Sequence, residues 1–158
     1  MLQNKPGVLS RVTGLFSGRG FNIESLCVAE TLDPKVSCLT VITRCDNAII
    51  EQITKQLHKL IDVIKVVDID EGEFVEREMV LIRVNAEEHT RAEVLRIIDI
   101  FRGKVIDVSP KNYAIEVTGS SSKIEAIIDI LRPIGIQEIV RTGKIAIARG
   151  RASKKGVR

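Results

Sequence analysis

Aromatic side chains are nearly missing from this chain: it has no tryptophan, one tyrosine and four phenylalanines, 3% of its residues. The core must therefore come from Val, Ile and Leu, and a surface that stacks nucleobases would lack its rings. Histidine is almost as scarce. His58 and His89 are the two present, and Cys27, Cys38 and Cys45 show no C-x-x-C spacing, so no metal-ligand set can be assembled. Cys27 and Cys38 sit in apolar runs, where a thiol is expected to act as a small buried hydrophobe. His58, in "KQLHKL", and His89, at a helix start, are expected on the surface. No apolar run approaches the roughly 18 residues of a membrane span, and no basic-then-apolar signal opens the chain. The expected location is the cytoplasm, with no membrane partner.

Acidic charge is missing from the C-terminal stretch. The last ten residues, "RGRASKKGVR", carry Arg149, Arg151, Lys154, Lys155 and Arg158 and no acid. Without those five charges, 19 of the 24 basic residues remain against 21 acidic ones. The net charge of +3 is thus a terminal feature, and a short basic tail reads as a solvated terminus rather than a nucleic-acid surface.

What is present is a pattern that occurs twice. Val8, Leu9, Val12, Leu15 and Phe16 recur at helical spacing, and Gly18 and Gly20 end that helix. "FNIESLCVAET" predicts a strand, Asp33-Pro34-Lys35 a turn, and "VSCLTVITRC" a returning strand. Asp46 or Asn47 can cap a second helix with Ile49, Ile50, Ile53, Leu57 and Leu60 on its apolar face. "DVIKVVDID" is expected to close the unit as a strand. The second half repeats the order: "EMVLIRVNA", the helix "HTRAEVLRIIDIFRG", the strands "KVIDVSP" and "NYAIEVTG", the helix "KIEAIIDILRPIG", and strand character through "IQEIVRTGKIAIAR".

Each half therefore reads βαββαβ. The fold class is α+β, two ferredoxin-like domains with antiparallel sheets and both helices on one face. The predicted domains are 1–71 and 78–150, with the acid-rich 72–77 as linker and 151–158 as a basic tail. A unit of about 70 residues has a thin core and leaves a sheet face or edge uncovered, so an oligomer is expected.

Several activities compatible with this topology fail on residue chemistry. An RNA-recognition module needs aromatics where the strands offer Cys27, Val28, Leu39 and Val41. An acyl-phosphate hydrolase needs an Arg and an Asn aimed at one phosphate, yet Arg11 falls on the helix face opposite Val8, Val12 and Leu15. Gly14, Gly18 and Gly20 lie within and after a helix, not between strand and helix as a dinucleotide fingerprint requires. "TGSSSK" (118–123) lacks the Gly-Lys-Ser/Thr of a phosphate loop, and its serines are N-cap candidates. No nucleophile–base set assembles, so the chain is not expected to be an enzyme.

The stretch "NKPGVLS" stands out. Helix N-termini have unsatisfied N–H groups and partial positive charge, which suit a carboxylate or phosphate. Gly7 removes a Cβ from the approach, Pro6 sets the backbone, and Asn4 offers both a carbonyl and an NH2. No cluster of Arg or Lys surrounds this loop, which favours an amino acid over a nucleotide. A plain helix-capping turn accounts for these residues equally well.

"NKPGVLSRVTGLFSGRGFNIESL" resembles the opening of an ACT domain, a small-molecule-sensing module of amino-acid metabolism. Together with "EQITKQLHKLIDVIKV", "VEREMVLIRV" and "IFRGKVIDVSP", the chain resembles the regulatory (small) subunits of acetolactate synthase over about residues 2–150. The resemblance implies a non-catalytic subunit that activates a thiamine-diphosphate-dependent large subunit and confers feedback inhibition by valine or other branched-chain amino acids. It implies no cofactor in this chain, with thiamine diphosphate, Mg2+ and FAD expected in the large subunit. It also implies a homodimer through paired ACT domains. Asn4, Gly7, Val8 and Leu9 would form one wall of an effector site, Asn22 and Ile23 of the partner chain would complete it, and Ser10 and Ala29 would lie near it. Family members carry a longer first strand than "MLQN", so either the true start lies upstream or the first strand is trimmed. The alternative is a free-standing ACT-type sensor with another partner; a DNA-binding version would need a helix-turn-helix, for which no segment outside the two units is long enough.

Overall fold

The computed structural model describes residues 1–69 and 73–149. It divides into two compact units, one formed by Met1–Val75 with the described stretch from Ala146, the other by Glu76–Ile145. The predicted basic tail, 151–158, lies outside the described residues.

The first unit runs β1 (Leu2–Gln3), α1 (Val8–Ser17), β2 (Ser25–Glu30), β3 (Val36–Ile42) and α2 (Asn47–Leu57). Its sheet is antiparallel in the order β1-β3-β2. Over its described residues, 62–69, the stretch expected as a closing strand does not form one: it meets β1 through a single bridge, Leu2 with Val63, plus Gln3 N–H to Asp62 O at 2.8 Å and Ile64 N–H to Met1 O at 3.0 Å.

Helix α1 forms because Val8, Val12 and Phe16 repeat on one face and are buried there. It stops in a Schellman turn: Gly20 adopts φ +70, Phe21 N–H reaches Phe16 O at 3.0 Å, and Gly20 N–H reaches Ser17 O at 3.1 Å. Phe16 and Phe21 then pack in the same cluster. Asp46 caps α2 by accepting from the Ile49 N–H at 3.0 Å.

The second unit contains most of β4 (Phe74–Asn85), then α3 (Arg91–Ile100), β5 (Lys104–Val108), β6 (Asn112–Gly119), α4 (Ser121–Leu131) and β7 (Ile136–Arg141); β8 (Ile145–Ala148) follows. The sheet order is β5-β6-β4-β7, with β8 also on β4. Adding the 62–65 segment to the first sheet gives the same arrangement in both units, with the first strand flanked by the third and the last. Val80, Ile82 and Val84 alternate onto the helix side with no exposed surface, against Ile97, Ile98, Ile124 and Ile127. Ser120 caps α4 by accepting from the Lys123 N–H.

Residues 74–77, expected within a linker, are the first part of β4. Their acids find partners. Glu76 Oε1 accepts from the Ser121 hydroxyl at 2.6 Å and its N–H at 3.1 Å, while buried Glu78 holds Arg141 through two bonds of 2.8 Å. The cysteines also differ from expectation. Leu39 and Val41 pack on the core, so alternation turns Cys38 outward, where it is exposed; Cys27 is half-buried.

Among the described residues, five side chains make the buried core of the first unit, against fourteen in the second.

Candidate functional site: the start of the first helix

After β1 the chain turns through Asn4-Lys5-Pro6 into Gly7, the N-cap of α1, at φ +84 and ψ −12. That left-handed conformation is what glycine permits and β-carbon-bearing residues resist. A Cβ built on Gly7 would meet no heavy atom within 4 Å, so open space adjoins the helix start. The first intrahelical bond runs from Arg11 N–H to Gly7 O at 3.0 Å. The N–H groups of Leu9 and Ser10 meet no acceptor among the described residues, and the first turn has no acid. This end of the helix dipole is thus not neutralised by the chain itself.

Asn4 is held on two sides. Its backbone N–H reaches Lys35 O at 2.8 Å. Its side-chain Nδ2 lies 3.0 Å from Glu30 Oε1 and 2.9 Å from the Pro34 carbonyl. Glu30 ends β2 and Pro34 lies in the following turn, so the β2–β3 hairpin grips the asparagine. Glu30 and Pro34 were not singled out from the sequence. The Asp33-Pro34 turn was the available signal, since hairpin register brings both near the start of β3.

The proposed wall residues do not all meet. Gly7, Leu9 and Ser10 share the first turn of α1, and Asn4 precedes it by three residues. Val8 turns to the core: its side chain is 4% exposed, and its N–H is taken by Lys5 O at 3.3 Å. Ala29 is exposed on β2, opposite Cys38. Asn22 and Ile23 precede β2 rather than beginning it. Asn22 is exposed with its carbonyl held by the Thr43 hydroxyl at 2.6 Å, and Ile23 packs on the core. Both follow the C-terminus of α1, a helix of ten residues and so about 15 Å long. One chain therefore does not bring Asn22 to Gly7.

The second unit lacks this arrangement. Ala86 N–H reaches Lys111 O at 2.8 Å, as Asn4 N–H reaches Lys35 O, and each lysine immediately precedes the third strand of its unit. Ala86 is fully buried and has no polar side chain. The Pro110 carbonyl, counterpart of Pro34, is taken by Arg91 Nη2 at 2.9 Å, and that guanidinium lies over the Tyr113 ring at 5.9 Å. Glu87, Glu88 and Glu93 surround the start of α3 with negative charge.

Comparison with known proteins agrees with this division. Residues 1–65 match the family described as "AHAS small subunit-like ACT domain", and residues 77–150 match "Small subunit of acetolactate synthase". A curated relative from Haemophilus influenzae, "Acetolactate synthase small subunit", is 50% identical over 151 residues, covering 95% of this chain and 93% of its own. The "Probable acetolactate synthase small subunit" of Methanothermobacter thermautotrophicus is 49% identical, covering 95% and 90%. The crystal structure of the small subunit from Thermotoga maritima superposes with a TM-score of 0.85 at 44% identity, covering 94% of this chain and 93% of that one. Fold and matches together define an α+β protein with an N-terminal ACT-type unit. The chain belongs to the family of regulatory small subunits of acetolactate synthase.

Among the described residues no helix is long and apolar enough to cross a membrane.

Proposed function

We propose that the chain raises the activity of a thiamine-diphosphate-dependent large subunit and confers feedback inhibition by valine, within the synthesis of valine, isoleucine and leucine in the cytoplasm. Catalysis would belong to the large subunit, with its thiamine diphosphate, Mg2+ and FAD. The observation that carries the effector site is the start of α1: unpartnered N–H groups of Leu9 and Ser10 beside open space at Gly7, with no acid in the first turn.

A homodimer through the ACT-type units supplies what one chain lacks. The thin first core, the edge position of β2, and the exposure of Val28 at 41% and of Leu32 at the hairpin support such cover. Asn22 and Ile23 of a second copy then face Asn4, Gly7 and Leu9 of the first. Leu9 and Ile23 provide the apolar wall, and burying a valine or leucine side chain there contributes roughly 1.5–3 kcal/mol. Val8 supports the wall from the core rather than lining it. A ligand that touches two chains is favoured by one dimer geometry over another, and that differential affinity is what moves an allosteric equilibrium.

Reconstitution with the large subunit tests this function. Acetolactate formation should rise on adding the chain and fall on titrating valine; a large subunit indifferent to the chain, or a complex indifferent to valine, would overturn it.

A further inference from the structure

Arg11 is the only charged residue of α1, and it is not among the effector-site residues. Its backbone N–H closes the first helical turn on Gly7 O at 3.0 Å. Its guanidinium donates to Asp62 Oδ2 at 2.5 Å. The backbone oxygen of the same Asp62 accepts from the Gln3 N–H at 2.8 Å. The loop at the helix start, residues 4–7, is therefore bracketed by two residues that are both fastened to one aspartate. From Asp62 the chain runs on along β1, with the Ile64 and Lys65 N–H groups on Met1 O at 3.0 and 3.3 Å. The Asp62 side chain is 13% exposed, against 62% for Arg11. An ion pair between two solvated side chains contributes little, but a carboxylate largely withdrawn from water is less screened and depends on its partner.

We infer that Arg11 and Asp62 are positioning residues that form a clasp, coupling the 4–7 loop to the 62–65 stretch. A ligand seated at the helix start holds the loop still, keeps the clasp shut, and so strengthens the pairing of 62–65 on β1. The inference rests on the effector site proposed above and adds the route by which occupancy leaves it, since 62–65 precedes in sequence the chain that leads to β4. Neither residue touches the ligand. Their effect is on the element that holds it. Coupling of this kind is reciprocal: the factor by which a bound ligand steadies the clasp is the factor by which the clasp tightens the ligand. Breaking the clasp therefore costs both the signal and part of the affinity, whereas a purely structural ion pair would cost neither.

Amide hydrogen exchange of the full chain, followed by NMR with and without saturating L-valine, tests this. Valine should slow exchange of the Gln3, Ile64 and Lys65 N–H groups about fivefold or more, the low end of couplings between two sites. Arg11→Ala should remove that protection and weaken valine binding by a similar factor in calorimetry. Arg11→Lys should keep both, because the contact is one nitrogen to one oxygen and an ammonium can make it too. Protection at Leu9 and Ser10 alone, where the ligand itself would sit, overturns the clasp and leaves the effector site standing. Wild-type valine affinity in R11A, with exchange faster by the same factor in both conditions, also overturns it, since that is the behaviour of a pair that only adds stability. A wild type that binds no valine overturns the effector site and the clasp with it.

Discussion

Ala86 occupies in the second unit the place that Asn4 occupies in the first. Each donates its backbone N–H at 2.8 Å to the lysine carbonyl that precedes the third strand, Lys111 and Lys35 respectively. The two units share strand order but differ in chemistry here: a polar amide facing solvent in one, a buried methyl group in the other. With Arg91 on the Pro110 carbonyl and acids around α3, the start of α3 does not repeat the open, acid-free helix end of α1. Valine should therefore bind with one site per chain. Calorimetric stoichiometry checks this, and two equivalent sites per chain would contradict it.

Gly7 separates backbone strain from charge. With open space around it, Gly7→Ala should destabilise the first unit by about 1–2 kcal/mol through its φ of +84 alone, while leaving valine binding largely intact. Gly7→Asp tolerates the left-handed backbone better but places a negative charge where a carboxylate docks, so valine binding should be abolished. Activation of the large subunit should survive in both. Thermal melts and valine titrations of the two variants check the pair; equal effects on valine would assign the loss to strain.

Much of the fold was legible because its signals are local. The alternation Val80, Ile82, Val84, the helical spacing of Val8, Val12 and Phe16, and the caps Asp46 and Ser120 all lie within one element or next to it. The start of β4 was not legible. Glu76 reads as a linker residue because the group that satisfies it, Ser121, lies 45 residues away. The pairing of the 62–65 stretch is likewise long-range, through Leu2 and Val63. In the site, Gly7 and Asn4 could be read from composition and turn chemistry. The grip of Glu30 on Asn4 could not, since hairpin register decides it.

Glu78 and Arg141 make a pair whose loss should be costly. The Glu78 side chain is 3% exposed and meets Arg141 through both oxygens, with Glu125 2.9 Å from the same guanidinium. Arg141→Ala leaves a buried carboxylate unpaired and should destabilise the second unit by about 3 kcal/mol. Chemical denaturation measures this. Valine affinity, a property of the first unit, should not change.

Glu76 gives the second unit an acid-sensitive contact. The Ser121 hydroxyl, then the Ser121 N–H, hold its carboxyl below the ordinary glutamate value of 4.5, against an opposing effect of burial. A carboxylate lowered on folding stabilises the fold above its unfolded pKa and loses that contribution as pH falls through the folded one. Stability should thus decline below about pH 4.5, and Glu76→Gln should flatten that part of the curve. Melting temperatures of both proteins from pH 6 down to roughly pH 3 check the sign; identical acid limbs would contradict it.

A site shared between two copies is tested most directly by mixing. Gly7→Asp and Asn22→Ala damage opposite walls, so each variant alone should bind valine poorly. In an equal mixture allowed to exchange, half the dimers carry one of each, and each mixed dimer rebuilds one intact site, about a quarter of the wild-type number. Recovery of that fraction of tight valine sites is the result expected. A mixture that binds no better than its two components would contradict a site made from two chains.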